Sequence, residues 1–176
     1  NWKMNTLRSE ATALVAGLIE QRAELDPGCD MLVCPPFVTL RPVADIIDGS
    51  PIALGAQDCH PGGAGAHTGD VSAVMLADAG CEFVIVGHSE RRADHQEGDT
   101  LVASKAGAAH ANGLKAVICV GETLDQRNAE ETLSVVETQV SNSVPDGATA
   151  ENTVVAYEPV WAIGTGLTPT IEQIAE

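Results

Sequence analysis

Short apolar runs alternate with longer amphipathic ones along this chain. The runs at 31–34, 52–57, 83–87, 116–120 and 153–157 have the length and residue types of strands. Between them the period changes. From residue 7 to 25, Leu14, Val15, Leu18 and Ile19 recur at three and four, which predicts an amphipathic helix. A shorter helix is predicted over 38–47, another over 71–79 behind an N-cap at Asp70, and one over 100–111 that stops at Asn112-Gly113. The acidic stretch 124–144 carries Leu133, Val136 and Val140 on one face, and Thr168-Pro169 opens a last helical segment. No residue-level repeat is visible, although the structural unit recurs.

Phe83-Val84-Ile85-Val86 is apolar throughout, as a strand buried on both faces of a helix-covered parallel sheet requires. Strand–helix succession therefore predicts an α/β fold. A doubly wound open sheet and a closed (β/α)8 barrel both satisfy the pattern. Each puts its ligand beyond the carboxyl ends of the strands, but only the barrel gathers residues from many strand ends around one centre.

Composition narrows the function. With 176 residues, 44% hydrophobic and 19% charged, the chain suits one soluble globular domain over 1–176. A net charge of −16 argues against nucleic acid or an anionic membrane as the main partner. An anionic ligand would need a local cation, and Lys3, Arg91 and Arg92 lie nearest the motifs described below. Cys29, Cys34, Cys59, Cys81 and Cys119 lack CxxC spacing and read as reduced core residues of a cytoplasmic protein. No secretory signal or membrane-length apolar run is present, and the histidines show no metal-ligand spacing, so neither metal nor cofactor is expected. The chain opens on Asn and stops within a helical pattern, so it is expected to be part of a longer protein.

Three strand ends carry chemistry. Glu158 follows the strand at 153–157, ahead of a segment that Pro159 stiffens and that Gly164 and Gly166 allow to turn, as a moving lid requires. His88 follows the strand at 83–86. A helix beginning at Ser89 would aim its free N–H groups near the imidazole and favour the neutral ring as a hydrogen-bond donor. Lys3 precedes the first helix, where a first strand would end. Each alone is commonly a surface or structural residue. Together, a carboxylate, a neutral imidazole and a cation suit proton transfer next to a carbonyl: one removes a carbon-bound proton, one polarises the oxygens, one offsets charge. The Gly164 N–H could meet a phosphate oxygen.

At this point the chain resembles the triosephosphate isomerase family. The resemblance rests on Asn1-Trp2-Lys3-Met4-Asn5, Gly87-His88-Ser89-Glu90-Arg91-Arg92 and Ala156-Tyr157-Glu158-Pro159-Val160-Trp161-Ala162-Ile163-Gly164-Thr165-Gly166. It extends to Gly55-Ala56-Gln57, Thr68-Gly69-Asp70 and Cys119-Val120-Gly121-Glu122, and so covers essentially the whole chain. It implies a (β/α)8 barrel, of which about six of the eight units are present, without most of the first strand and the last two units. It implies a cofactor-free aldose–ketose isomerase of glycolysis and gluconeogenesis that interconverts dihydroxyacetone phosphate and D-glyceraldehyde 3-phosphate through an enediolate.

By resemblance, Glu158 is the base, His88 the electrophile, and Lys3 with Asn1 the polar floor under the substrate. Ser89 and Glu90 stand behind them. Gly164 is the lid glycine that binds phosphate, and Pro159-Val160-Trp161 and Gly164-Thr165-Gly166 are the lid's hinges. The loop from Gln57 to Asp70 is implied to form a homodimer with Thr68 near its tip, although Asp58, Cys59 and His67 depart from the usual residues there. Arg91 and Glu97 are expected to pair near the same interface, Cys119 to pack in the core, and His95 to lie on the surface. Two other readings remain: a non-catalytic α/β fragment that binds a partner, and another phosphosugar isomerase on the same fold.

Overall fold

The computed structural model describes residues 1–25 and 28–176. Its framework is β1 (Met31–Val33), β2 (Ile52–Ala56), β3 (Phe83–Val86), β4 (Lys115–Val120) and β5 (Thr153–Tyr157), each within a residue of its predicted bounds. Every adjacent pair is parallel, and the sheet order is β1-β2-β3-β4-β5. Each strand thus lies beside its predecessor and the progression never reverses. A doubly wound sheet changes direction at a switch point, so this order belongs to the barrel.

α1 (Arg8–Leu25) precedes β1, and the first crossovers hold a 3-10 turn at Phe37–Thr39 running into α2 (Leu40–Ile47), α3 (Ala73–Asp78), α4 (Ser89–Asp94) and α5 (Asp99–Ala111). The last crossover holds α6 (Leu124–Asn128) and α7 (Thr132–Ser143), and a 3-10 turn at Val160–Ala162 and α8 (Ile171–Ala175) follow β5. Among the described residues no helix is long and apolar enough to cross a membrane.

Several ends differ from the sequence expectation. Ser72, not Asp70, caps α3: its hydroxyl accepts from the Met75 N–H at 3.4 Å, while Asp70 belongs to a turn whose N–H donates to the His67 carbonyl. The predicted helix over 124–144 is two helices, because Glu130 takes a left-handed φ of +60° and closes α6 without the glycine that usually marks such a stop. Thr170, rather than Thr168-Pro169, opens α8 through a capping box with Gln173. On α1 the inward face is Ala11 and Val15, with Leu18 and Ile19 partly buried, and Leu14 points out.

The main core lies between the helices and one face of the sheet, where Val33, Leu54, Val84, Val86 and Ile118 meet Val15, Val43, Leu76 and Val102. A full burial of this kind contributes about 1.5–3 kcal/mol per large aliphatic side chain. The other face holds a smaller cluster of Cys34, Ile85 and Cys119. Both faces of β3 are therefore covered, as its unbroken apolar run required. β5 differs: Val154 and Val155 are 46% and 47% exposed, and among the described residues no strand pairs with its outer edge.

Candidate active site

At the carboxyl end of β3 the chain turns into α4, with His88 as the N-cap residue. The Glu90 N–H donates to His88 Nδ1 at 3.2 Å. An accepting Nδ1 carries no proton, so this bond assigns the neutral ring its proton on Nε2. His88 Nε2 stands 3.1 Å from Glu158 Oε2, and the Ser89 N–H donates to Glu158 Oε1 at 2.6 Å. The first turn of α4 thus orients both groups: one N–H fixes the imidazole tautomer and the preceding one fixes the carboxylate.

Glu158 reaches this position because β5 runs beside β4 to the last residue. Its N–H donates to the Val120 carbonyl at 2.8 Å, extending the ladder past Tyr157. The close approach depends on Gly121, where a Cβ would lie 1.9 Å from the Glu158 carbonyl oxygen. Arg92 ties β3 to β4 from behind, donating to the carbonyls of Gly87 (2.7 Å) and Cys119 (3.2 Å) and pairing with Asp99 at 2.6 Å. Cys119 is buried; burial, and then the negative charge of Glu158, push its thiol up to about 12, so it packs and does not react.

Lys3 is held beyond the end of β1. The Trp2 N–H donates to the Cys34 carbonyl at 3.0 Å, and Asn1 Oδ1 accepts the Lys3 N–H at 2.8 Å. Gln57 Nε2 donates to the carbonyls of both Lys3 and Cys34, each at 2.9 Å. These bonds keep Lys3 at a φ of +53°, a left-handed conformation that costs a non-glycine residue about 1–3 kcal/mol and is retained where its surroundings over-determine it. Its Nζ donates to Glu90 Oε1. Asn1, Lys3, Gln57, His88 and Glu90 line a cleft of about 270 Å³. A larger depression of about 460 Å³ at the amino ends of β2 and β3 offers Asp45, Asp48, Asp78 and Glu82, without any such constellation.

Lys3, Arg91 and Arg92 are therefore all paired, but unequally. Arg91 binds Asp58 at 2.9 Å and Glu97 at 2.8 Å, and Arg92 is committed to Asp99. The Lys3–Glu90 pair is the exposed one, with 36% and 48% of the two side chains accessible. Exposed pairs contribute about 0–1 kcal/mol, so Lys3 is the cation an incoming anion can take over.

The segment after Glu158 is anchored at one end. Trp161 is buried, and its indole N–H donates to Glu122 Oε1 at 2.9 Å. Glu122 is fully buried and also accepts from Arg127 (2.9 Å) and the Tyr157 hydroxyl. Burial alone would raise the Glu122 carboxyl, but the bonds from Arg127, its own backbone, Trp161 and Tyr157 outweigh it and hold the group below the usual carboxylate range. Beyond Trp161, Gly164 and Gly166 are exposed with φ of +69° and +77°. Among the described residues Gly164 takes no part in the bonds that join Lys3, Glu90, His88, Ser89 and Glu158.

Other placements follow. His95 is exposed. Arg91 and Glu97 pair as expected, but not as a solvated surface pair. The Glu97 side chain is buried, and Lys105, buried as well, donates to both Glu97 (2.6 Å) and Asp58 (2.7 Å). Burial raises both carboxyls; Lys105 and Arg91 reverse this for Glu97, which is held low, while Asp58 stays raised. Sequence reading missed Lys105, Gln57's grip on Lys3 and the anchoring role of Glu122. The last two lie in motifs that carried the resemblance, whereas nothing marks a lysine in the middle of α5.

Known proteins share the sequence and the fold of this chain. The profile of the family described as triosephosphate isomerase matches residues 1–176. A triosephosphate isomerase of Bradyrhizobium diazoefficiens is 53% identical over the whole chain, which spans 70% of that relative. One from Ruegeria sp. is 57% identical, again over the whole chain and 70% of the relative. The crystal structure of triosephosphate isomerase from Bartonella henselae superposes with a TM-score of 0.86 at 46% identity, covering 92% of this chain and 66% of that one. The five-stranded sheet is thus an incomplete (β/α)8 barrel, and the chain belongs to the triosephosphate isomerase family.

Proposed function

We propose that the protein interconverts dihydroxyacetone phosphate and D-glyceraldehyde 3-phosphate, with Glu158 as base, His88 as electrophile and Lys3 as countercharge. The observation that carries this reading is the contact of Glu158 Oε2 with the protonated Nε2 face of a neutral His88 at 3.1 Å, beside a cleft lined by Lys3. The division of roles is the one long established for triosephosphate isomerase.

Glu158 takes a proton from the carbon next to the carbonyl, and the electron pair left behind forms an enediolate. His88 donates Nε2–H to the oxygen that gains charge and passes a proton between the two oxygens. Protonated Glu158 then returns its proton to the neighbouring carbon. The base exchanges its Ser89 N–H partner for the carbon-bound proton as substrate enters. Lys3, set in place by Asn1 and Gln57, leaves Glu90 for the substrate anion. The lid closes on its hinges, brings the Gly164 N–H to the phosphate and excludes water.

Such an isomerase would serve glycolysis and gluconeogenesis, and five free thiols support a cytoplasmic compartment. The loop from Gln57 to Asp70 makes the homodimer contact: residues 63–70 are exposed, and its stem residue Gln57 touches Lys3, so the interface and the site share a residue.

The test is turnover of dihydroxyacetone phosphate by the protein beside an identically prepared His88→Gln variant. Activity that falls with the substitution supports the assignment. Undiminished activity in the variant would remove His88 from the mechanism, and binding of a partner without turnover would favour the fragment reading.

A further inference from the structure

We propose that Gln139 on α7 is a positioning residue of the proton-transfer centre, holding the end of β4 where Glu158 is seated. Its effect on rate rests on the isomerase reading above; its contacts do not. Gly121 follows the last residue of β4, and the Glu158 main chain passes so close that a Cβ on Gly121 would lie 1.9 Å from the Glu158 carbonyl oxygen. The Gly121 N–H and C=O are half-buried beyond the strand and need partners, since such groups left without bonds cost free energy. Gln139 supplies both. Its Oε1 accepts from the Gly121 N–H at 2.7 Å, and its Nε2 donates to the Gly121 carbonyl at 3.2 Å. Two bonds from one planar amide fix the orientation of Gly121 as well as its distance.

Ser143 lies four residues further, on the same face of α7, and is buried. Its hydroxyl accepts from Arg92 Nη2 at 3.1 Å and donates to Asp99 Oδ1 at 3.0 Å. Arg92 in turn donates to the carbonyls of Cys119 and of Gly87, the residue before His88. One face of α7 therefore reaches both members of the pair, Glu158 through Gln139 and Gly121, and His88 through Ser143, Arg92 and Gly87.

Packing alone would be met by a leucine at 139, between Val136 and Val140, which both pack against the main core. Glutamine adds the two bonds to Gly121. Without the amide, the Gly121 peptide turns toward water and the exit of β4 moves with it. Glu158, bonded to Val120 and seated on Gly121, is then carried away from the Ser89 N–H and from His88.

The test compares Gln139→Leu with Val140→Ala, a loss of packing on the same helix. In Gln139→Leu, kcat for the triose phosphates should fall by about tenfold to 10²-fold, the latter being the effect of a displacement of about 1 Å at a reacting group, while KM changes less. Val140→Ala should keep kcat even where urea shows an equal loss of stability. The Ser89 amide resonance, assigned by 15N-serine labelling and by its absence from Ser89→Pro, reads the geometry without turnover. It should move in Gln139→Leu toward its position in Glu158→Ala, and stay in place in Val140→Ala. Gln139→Met, unbranched like glutamine, serves the same test if the leucine variant does not fold. A kcat equal to that of Val140→Ala, or a Ser89 resonance that does not move, would each overturn the proposal. If the wild type itself turns over no triose phosphate, the isomerase reading falls and the resonance alone decides whether Gln139 positions Glu158.

Discussion

The backbone N–H of Ser89 donates to Glu158 Oε1 at 2.6 Å, so the carboxylate at the end of β5 rests on the first turn of α4. That bond can be deleted alone. Ser89 is the first residue of α4, a position that accepts proline, and His88 before it has φ −55° and ψ 141°, the extended conformation a following proline requires. Ser89→Pro should keep α4 and lose stability by about 1.5–3 kcal/mol, the range for a hydrogen bond to a charged group. If the bond only parks the base, kcat/KM stays within about tenfold of wild type. A loss approaching that of Glu158→Gln would show that the N–H acts during proton transfer.

Removing Glu158, the proposed base, or His88, the proposed electrophile, tests the centre directly. Glu158→Gln keeps the size and the Ser89 bond but cannot take a proton, and kcat should fall by about 10²–10⁴, the range for positioned general-base catalysis. His88→Gln keeps a neutral donor in changed geometry and should lower kcat without a matching rise in KM, since its bond strengthens as charge develops on oxygen. Steady-state kinetics in both directions separate these outcomes, and a pure KM effect in either variant would contradict its role.

Glu122 links the anchored end of the segment after Glu158 to acid stability. Its folded pKa lies below the unfolded value, so the stabilisation it gives is fully present above about pH 4.3, the ordinary glutamate value, and is lost as pH falls through the folded pKa. Glu97 has the same sign, and Asp58, raised, has the opposite one. Urea melts between pH 3 and 7 should therefore show wild type losing more stability below about pH 4.3 than Glu122→Gln does. At neutral pH Glu122→Ala should cost about 3–5 kcal/mol, because Trp161 and Tyr157 lose their acceptor and Arg127, largely buried, keeps only Glu176. Parallel pH curves for wild type and Glu122→Gln would show that this carboxylate does not set the acid limit.

How much of this was legible beforehand depended on whether the cause is local. The strands were: an apolar run such as Phe83-Val84-Ile85-Val86 can only be buried, and all five strands formed within a residue. Glu158 and His88 were legible as strand-end residues inside distinctive motifs. The break at Glu130 was not, since a left-handed glutamate carries no sequence mark. Nor was the ion cluster: Lys105 meets Asp58 and Glu97 only because α5 packs beside the loop after β2, and one-dimensional spacing does not contain that contact.

Gly121 sets the position of Glu158, the proposed base, through absence of a side chain. A Cβ there would lie 1.9 Å from the Glu158 carbonyl oxygen and 2.8 Å from its carbonyl carbon, and both are backbone atoms of the residue that carries the base. No rotamer change relieves such a clash. Gly121→Ala must separate the ends of β4 and β5, straining the Glu158 N–H bond to Val120 and the Gln139 side-chain amide, which bonds the Gly121 N–H at 2.7 Å and its carbonyl at 3.2 Å. Overpacking of this kind costs about 1–3 kcal/mol, and a displacement of about 1 Å at a reacting group can cost about 10²-fold in rate. The variant should therefore lose both stability and kcat, with KM changed less. Gly147→Ala is the control, since nothing lies within 4 Å of a Cβ placed there. If Gly121→Ala matched that control in turnover and in urea midpoint, the glycine would not be what places Glu158 against His88.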